Sequence, residues 1–409
     1  MCSLSSAHDG VDLFGWNKTS GYIDADCETD VASGMQNAAT LTLAGLCLGI
    51  ALTGLFTTVA VQSKTRERLS LGLVYGAFGV IIALPLIMTF AQTLYPFYMP
   101  LVLVMMLTLP PAVYHYVLAK TTRPPLGRIP WRDLAMPLAG CLVCFGFWVL
   151  PEEAKAALFI SGELPPDYLP AILAITTFVL ILCWLVASFV YLLAVLRRLA
   201  AYRAHIRQLY SNVENRDLRW VDWVMALLVM IWAAGAVLLA DENLGNGGLF
   251  MDEALLGLTA CCLLFLTIFA SNTPSASDAE PSSEEPDTKY ARSAMTANHA
   301  AKLAKRIGEA MQKDALYIDP NLSLQKLSQH VGALPNQVSQ TLNQKIGATF
   351  FDYVARWRIE ASKPLILAGD DSVLTVALQV GFNSKSTFYK AFKRETGVTP
   401  KAYRLKDIG

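Results

Sequence analysis

Along the chain, apolar residues gather into seven runs near 37–61, 70–94, 97–118, 133–150, 168–196, 221–240 and 251–270, separated by short polar stretches. A helix of about 20 apolar residues crosses a hydrocarbon core of about 30 Å, so each run is about the length of a membrane span. One such run fits a buried core helix of a water-soluble protein equally well. Seven in succession predict a membrane-embedded helical bundle. From about His299 the period changes. Ala300, Leu303, Ile307 and Met311 share one helical face. Leu324, Leu327 and Val331 mark a short helix over 322–332, and Val338 and Leu342 a second over 334–347, joined by a glycine-containing turn.

That pair reads as a helix-turn-helix, whose second helix enters the major groove of DNA. A longer helix is expected from about Thr349 to Leu367, and then the pattern repeats. Val373, Val376, Ala377 and Val380 point inward, Gly381 makes the turn, and Phe388 and Phe392 anchor a second recognition helix. The expected fold class is all-α: a seven-helix transmembrane bundle followed by a soluble domain with two helix-turn-helix motifs.

Composition agrees. Of 409 residues 54% are hydrophobic and 16% charged, against about 25% charged in soluble domains. The net charge of zero conceals a division: 16 Lys and Arg face 24 Asp and Glu up to Tyr290, and 17 face 9 from Ala291 onward, giving −8 and then +8. From Ser372 to Lys406 there are seven basic residues and one acid, Glu395. A charge run is usually a solvated face, but one placed on and after the second helix of a repeated helix-turn-helix suits a phosphate footprint.

Loop charges fix an expected orientation, because Lys and Arg stay on the cytoplasmic side. Lys64, Arg66 and Arg68 fall in the first loop, Lys120, Arg123, Arg128 and Arg132 in the third, and Arg197, Arg198, Arg203, Arg207, Arg216 and Arg219 in the fifth, while the alternate segments hold Lys18 and Lys155. Thirteen against two puts the N-terminus outside and the C-terminus inside, where a DNA reader is needed. No basic region precedes an early apolar stretch, so no cleaved signal peptide is expected. Residues 1–34, with Asp9, Asp12, Asp24, Asp26, Glu28 and Asp30, read as a solvated extracytoplasmic arm, with a sensing arm as the alternative; Cys2 and Cys27 there are able to pair. Residues 35–270 are the seven-span part, expected to act as a sensor, in which Pro85, Pro110, Pro111 and Pro137 are expected to kink helices.

Past the fifth span, Leu192, Val195, Leu199, Tyr202, Ile206 and Leu209 keep a helical seam too short for a coiled coil. Its arginines suit a helix lying on the anionic inner leaflet; a helix reaching into the cytoplasm to touch the C-terminal domain is the alternative. Residues 271–298 open with SNTPSASDAEPSSEEPDTKY, too poor in large apolar residues to fold, and read as an acidic flexible linker. About 20 such residues span roughly 25 Å. This predicts a tether that transmits no torque and lets two domains, as a homodimer, engage a paired site.

The spans carry few ionisable residues of the kind a pump or intramembrane enzyme needs. His115, Asp222 and Asp252 lie near span ends, Cys141 and Cys144 have no partner ligands nearby, and Gly245, Gly247 and Gly248 make an outer turn rather than a phosphate cradle. No enzyme, metal or cofactor is expected. A transporter or channel with a helical regulatory tail is the competing function.

The string Ala377, Val380-Gly381-Phe382, Ser386, Phe388, Phe392-Lys393, Gly397, Thr399-Pro400 and Tyr403-Arg404 resembles the signature of the AraC/XylS family of bacterial transcription regulators. Phe350, Tyr353, Arg358 and Ala361 resemble its linker helix, and Asp319-Pro320 with Leu322 and Leu324 the segment leading into it. The resemblance covers about 100 residues, within 299–409. It implies a double-stranded DNA partner and two recognition helices in successive major grooves. Asn336, Gln337, Ser339 and Gln340 would face bases in the first motif, and Asn383, Ser384, Lys385, Ser386 and Lys390 in the second. Lys393, Arg394, Lys401 and Arg404 would face phosphates. Gln340 and Asn343 stand where the family often has basic residues, implying a weaker phosphate grip by the first motif, and Pro364 is expected to kink the linker helix. Membrane lipid and a signal of unstated chemistry complete the expected partners.

Overall fold

The computed structural model describes residues 20–61, 65–122, 129–161, 167–213, 218–244, 251–272 and 297–406. Each apolar run forms a helix: α1 (Ser20–Val61), α2 (Thr65–Ile82) with α3 (Leu84–Phe90), α4 (Tyr95–Thr121), α5 (Trp131–Val149), α7 (Tyr168–Leu209), α8 (Arg219–Leu244) and α9 (Met251–Asn272). A short α6 (Glu152–Ala156) precedes α7. Six of these stretches among the described residues are long and apolar enough to cross a membrane. The span expected near 221–240 lies in α8, several of whose side chains from 235 onward lie outside the described residues.

Three features differ from the sequence pattern. Helix α1 begins at Ser20, inside the segment read as a solvated arm; no proline interrupts it, and an established helix extends at little cost. The second run breaks at Ala83, one residue before α3, where Pro85 has its favoured place in a helix's first turn. Helix α4 runs through Pro100, Pro110 and Pro111, and α5 through Pro137, without ending. Cys2 and the side chain of Cys27, whose pairing was expected as an option, the glycines at 245–248, most of the linker (273–296), and the charges at Lys18, Lys64, Arg123, Arg128 and Arg216 lie outside the described residues.

In the bundle, α2 packs between α1 and α4, α1 also lies against α9, and α4 meets α5 and α7. Gly54 permits the first of these contacts, since a Cβ there would stand 2.2 Å from the ring of Tyr75. The Tyr75 hydroxyl then pairs with Thr267 Oγ1 at 3.0 Å, joining α2 to α9. The core holds Ala44, Cys47, Leu71, Val74, Leu199 and Leu263, all buried. Outward faces stay apolar: Phe56, Leu142, Phe145, Phe178 and Val186 are exposed.

The buried charged side chains Glu67, Lys120 and Asp133 of the bundle are paired. Glu67 and Lys120 meet at 3.1 Å, both nearly fully buried. His115 Nε2 lies 2.9 Å from Asp133, which also accepts from the Tyr191 hydroxyl at 2.7 Å. Burying such groups is tolerable only with partners in place.

The second unit contains α10 (Ala297–Gln312), α11 (Leu324–Val331), α12 (Pro335–Gln340) continued by a π-helical turn (Thr341–Ile346), α13 (Phe350–Ala368), α14 (Val373–Gln379), α15 (Lys385–Thr396) and α16 (Pro400–Lys406). Side-chain oxygens of Ser323, Thr349, Ser372 and Ser384 accept backbone N–H groups at the starts of α11, α13, α14 and α15, satisfying donors a helix start leaves open. Two cores result. Leu303, Ile307, Leu327, Val338 and Leu342 fill the first, and Val376, Phe388 and Phe392 the second. Helix α13 serves both, giving Phe350 and Val354 to one and Ile359 and Ile366 to the other. It continues past Pro364 to Ala368.

Candidate nucleic-acid interface

Two short helices stand where the pattern put recognition helices. On α12, Val338 is buried and holds the helix to its core, while Asn336 is exposed and Gln337, Ser339 and Gln340 are half-exposed. Gln337 Oε1 accepts the Leu334 amide at 3.3 Å, so part of that side chain closes the helix start. Gln340 donates to Gln344 at 3.1 Å, and Asn343 to Ser339 at 3.4 Å. These contacts form two adjacent i,i+4 pairs. Lys345, exposed on the π-helical turn, is a cation that the sequence reading left out.

On α15, Phe388 and Phe392 are fully buried. Lys385 at its start and Ser386, Lys390 and Lys393 on the face away from the core are all exposed, with Asn383 exposed in the preceding turn. Lys385 Nζ sits 5.5 Å from the Tyr389 ring centroid. Ser384 is largely a helix cap, accepting the Thr387 amide at 3.3 Å.

The four expected phosphate contacts divide. Lys393 and Lys401 are exposed. Arg394 instead pairs with Asp352 at 2.7 Å and Glu395 at 3.0 Å, joining α15 to α13 beside a cleft lined by Asn343, Thr349 and Arg356. Arg404 turns inward and donates to the carbonyls of Ile366 at 2.8 Å and Asp371 at 3.0 Å. It ties down the Ile366 carbonyl in the last turn of α13, which that helix cannot satisfy itself, and the Asp371 carbonyl in the turn that follows.

Gly381 fixes how the two halves meet. Its φ of +93° is closed to ordinary side chains, and a Cβ would lie 2.6 Å from the Ile318 carbonyl and 2.7 Å from that of Tyr317. The turn of the second motif thus rests on the backbone leading into the first. Beside it lies Arg358, fully buried, its Nε donating to the Tyr317 carbonyl at 2.7 Å and Nη2 to the Asp319 carbonyl at 2.8 Å. Burial brings its pKa down to about 10, partly offset by the Asp319 charge. Among the described residues no group of three or more His, Cys, Asp or Glu is placed to hold a metal ion.

The helix-turn-helix domain family matches residues 327–406, the stretch containing both recognition helices. The C-terminal unit is an AraC-type helix-turn-helix domain. The chain is 35% identical over 89 residues to an uncharacterised HTH-type transcriptional regulator of Staphylococcus aureus strain COL, covering 22% of this chain and 12% of that one. It is 34% identical over 98 residues to the regulatory protein PocR of Salmonella typhimurium, covering 23% of this chain and 32% of PocR. The similarity thus spans a small part of these relatives' length. Among solved structures, the C-terminal domain of AraT, a response regulator from Geobacillus stearothermophilus, matches 25% of this chain and 84% of its own at 25% identity and a TM-score of 0.24. The C-terminal domain of the response regulator yesN of Fusobacterium nucleatum matches 26% and 98% at 29% identity and a TM-score of 0.22.

Proposed function

We propose that this protein is a membrane-integral, one-component transcriptional regulator, in which a signal received at the spans or outer loops changes sequence-specific DNA binding in the cytoplasm. The observation that carries this reading is the union, in one chain, of an outward-apolar helix bundle and an AraC-type DNA-binding domain. Contiguous apolar surface of this extent needs a lipid or protein cover, and a single-chain link to a DNA reader gives the bundle an output.

In this reading Asn336, Gln337, Ser339 and Gln340 of the first motif and Asn383, Ser384, Lys385, Ser386 and Lys390 of the second face bases. Asn and Gln suit the donor and acceptor pair of adenine, and Lys suits the acceptors of guanine. Lys393 and Lys401 hold phosphates. Arg394 and Arg404, engaged within the domain, support the interface by fixing α15 and the end of α13. A homodimer placing two domains on a paired site fits the same chemistry.

The loop charges supply the orientation: N-terminus outside, C-terminal domain inside, in the inner membrane. Reporter fusions near residues 65, 125 and 210 should then be active on the cytoplasmic side and those near 160 and 245 outside. A cytoplasmic reporter active at 160 or 245 contradicts the arrangement.

A further inference from the structure

Helix α7 has 42 residues. At 1.5 Å per residue it is about 63 Å long, and about 30 Å suffices to cross a hydrocarbon core, so roughly half of it is free to project beyond the membrane. Its final turns are gripped where they leave the bundle: Arg198 donates to Thr121 Oγ1 at 2.9 Å, and Arg203 pairs with Asp222 at 2.7 Å. The helix ends at Leu209, and the next three residues do not turn away from the DNA-binding domain. They lock onto it.

Leu209 packs on the core of the first motif, and Phe351 of α13 packs back on the core of the bundle. Buried Ser211 donates its amide and its hydroxyl to the Leu322 carbonyl, at 3.2 and 2.7 Å. Asn212 donates to the carbonyls of Pro320 and, at 3.3 Å, Gly381. Arg358 completes the contact, reaching Asn212 Oδ1 and Ser211 Oγ at 3.2 Å each. One carboxamide thus touches the segment before the first motif, the turn of the second motif, and the helix between them.

We infer that Ser211 and Asn212 form a clasp through which α7 sets the relative orientation of the two helix-turn-helix motifs, and so couples movement of the membrane helices to DNA binding. The inference rests on the proposed regulatory function and names its route. A flexible linker transmits no torque, whereas a continuous helix transmits both translation and rotation. The seam it holds has no slack: Gly381 is packed against Ile318, and Arg358 is buried with hydrogen-bond acceptors from both sides. Any shift of α7 that carries Asn212 must either break these bonds or move the second motif against the first. Two recognition helices read successive grooves together only at one mutual spacing, so occupancy of the second half-site is the quantity the clasp controls. Asn212 is a positioning residue, with no contact to DNA assigned to it.

The test uses the full-length protein in membrane vesicles, with footprinting of each half-site on DNA recovered by crosslinking to the same protein. Asn212→Ala should weaken occupancy of one half-site relative to the other by roughly tenfold, the scale of one or two lost hydrogen bonds. Equal occupancy ratios in the variant and the wild type overturn the inference. Hydrogen exchange on the wild-type protein gives a readout independent of the variant's folding: the Ser211 amide should be protected like the interior amides of α7, and exchange at the rate of an open chain end overturns the clasp. A wild-type protein that binds no DNA defeats the regulatory reading instead, while the exchange measurement still decides whether the clasp exists.

Discussion

Arg358 and Asn212, 146 residues apart in sequence, meet where Nη1 donates to Oδ1 at 3.2 Å. The guanidinium is fully buried and has hydrogen-bond partners on Tyr317, Asp319, Ser211 and Asn212, with the ring of Phe382 5.5 Å away. Its hydrogen-bond partners come from two segments, so the guanidinium joins the backbone leading into the first motif to the end of a bundle helix, with Phe382 of the second motif beside it.

Replacing Arg358 with Met keeps most of the volume but leaves the Tyr317 carbonyl without its Arg358 donor, and the Asp319 carbonyl with only the Leu322 amide. The C-terminal domain should lose about 3 kcal/mol of stability, measured as hydrogen exchange across α13 to α15 in the full-length protein. A loss within about 0.5 kcal/mol, the scale of ordinary surface changes, contradicts the role given to this residue.

Gly381→Ala meets two obstacles, a left-handed backbone and two carbonyl oxygens inside contact distance. A cost of about 3 kcal/mol is expected, and DNA binding should fail before α10 to α12 unfold, because the strain falls on the seam. Protease sensitivity appearing first around the second motif checks this order.

Asp319 lies beside Arg358 and pairs with Lys326 at 2.9 Å. Burial pushes its pKa up, but the Lys326 hydrogen bond, the Asn321 amide, and the charges of Lys326 and Arg358 outweigh that, so the net shift is downward. A lowered carboxylate stabilises the fold above its ordinary pKa of about 4, and the gain is lost as pH falls through the lower folded value. The shifted Arg358 binds fewer protons when folded than when unfolded only from about pH 10 upward. Domain stability should therefore owe no slope to this pair between pH 6 and 9 and should decline below about pH 4. Asp319→Asn should reduce that acid decline; an unaltered acid limb contradicts the assignment.

Much of this was legible in the sequence, for identifiable reasons. Apolar runs located the bundle helices because lipid and core alike select apolar side chains. The seam from Leu192 to Leu209 marked a real buried face, with Val195, Leu199, Tyr202 and Ile206 buried, although its partner is the bundle core and the DNA-binding domain rather than a lipid surface. The clasp was hidden. Ser211 and Asn212 look like ordinary loop residues, and their acceptors lie more than 100 residues away. Arg404 shows the limit of counting charge: a basic residue in a basic run turns back to the carbonyl of Ile366, 38 positions earlier.

The division among the basic residues gives a further test. Lys385→Ala should change which base is preferred under α15, costing about 1–3 kcal/mol at one position. Lys393→Ala should weaken binding to all sequences alike and lower the salt slope by about 1. Arg404→Ala should act through stability rather than through the salt slope, since its donors are spent on backbone carbonyls. Competition binding at several salt concentrations separates the three, and a common scaling factor for all of them contradicts the division.

The central claim is that a protein embedded in the membrane reads DNA by sequence. The most direct measurement is sequencing of the DNA crosslinked to the full-length protein in the intact membrane fraction, beside a chain reduced to residues 291–409. The account predicts discrete enriched sites in the membrane fraction, sharing paired half-sites with those of the shorter chain. Membrane-bound protein that enriches no sequence above background, or enrichment found only with protein outside the membrane, would contradict it.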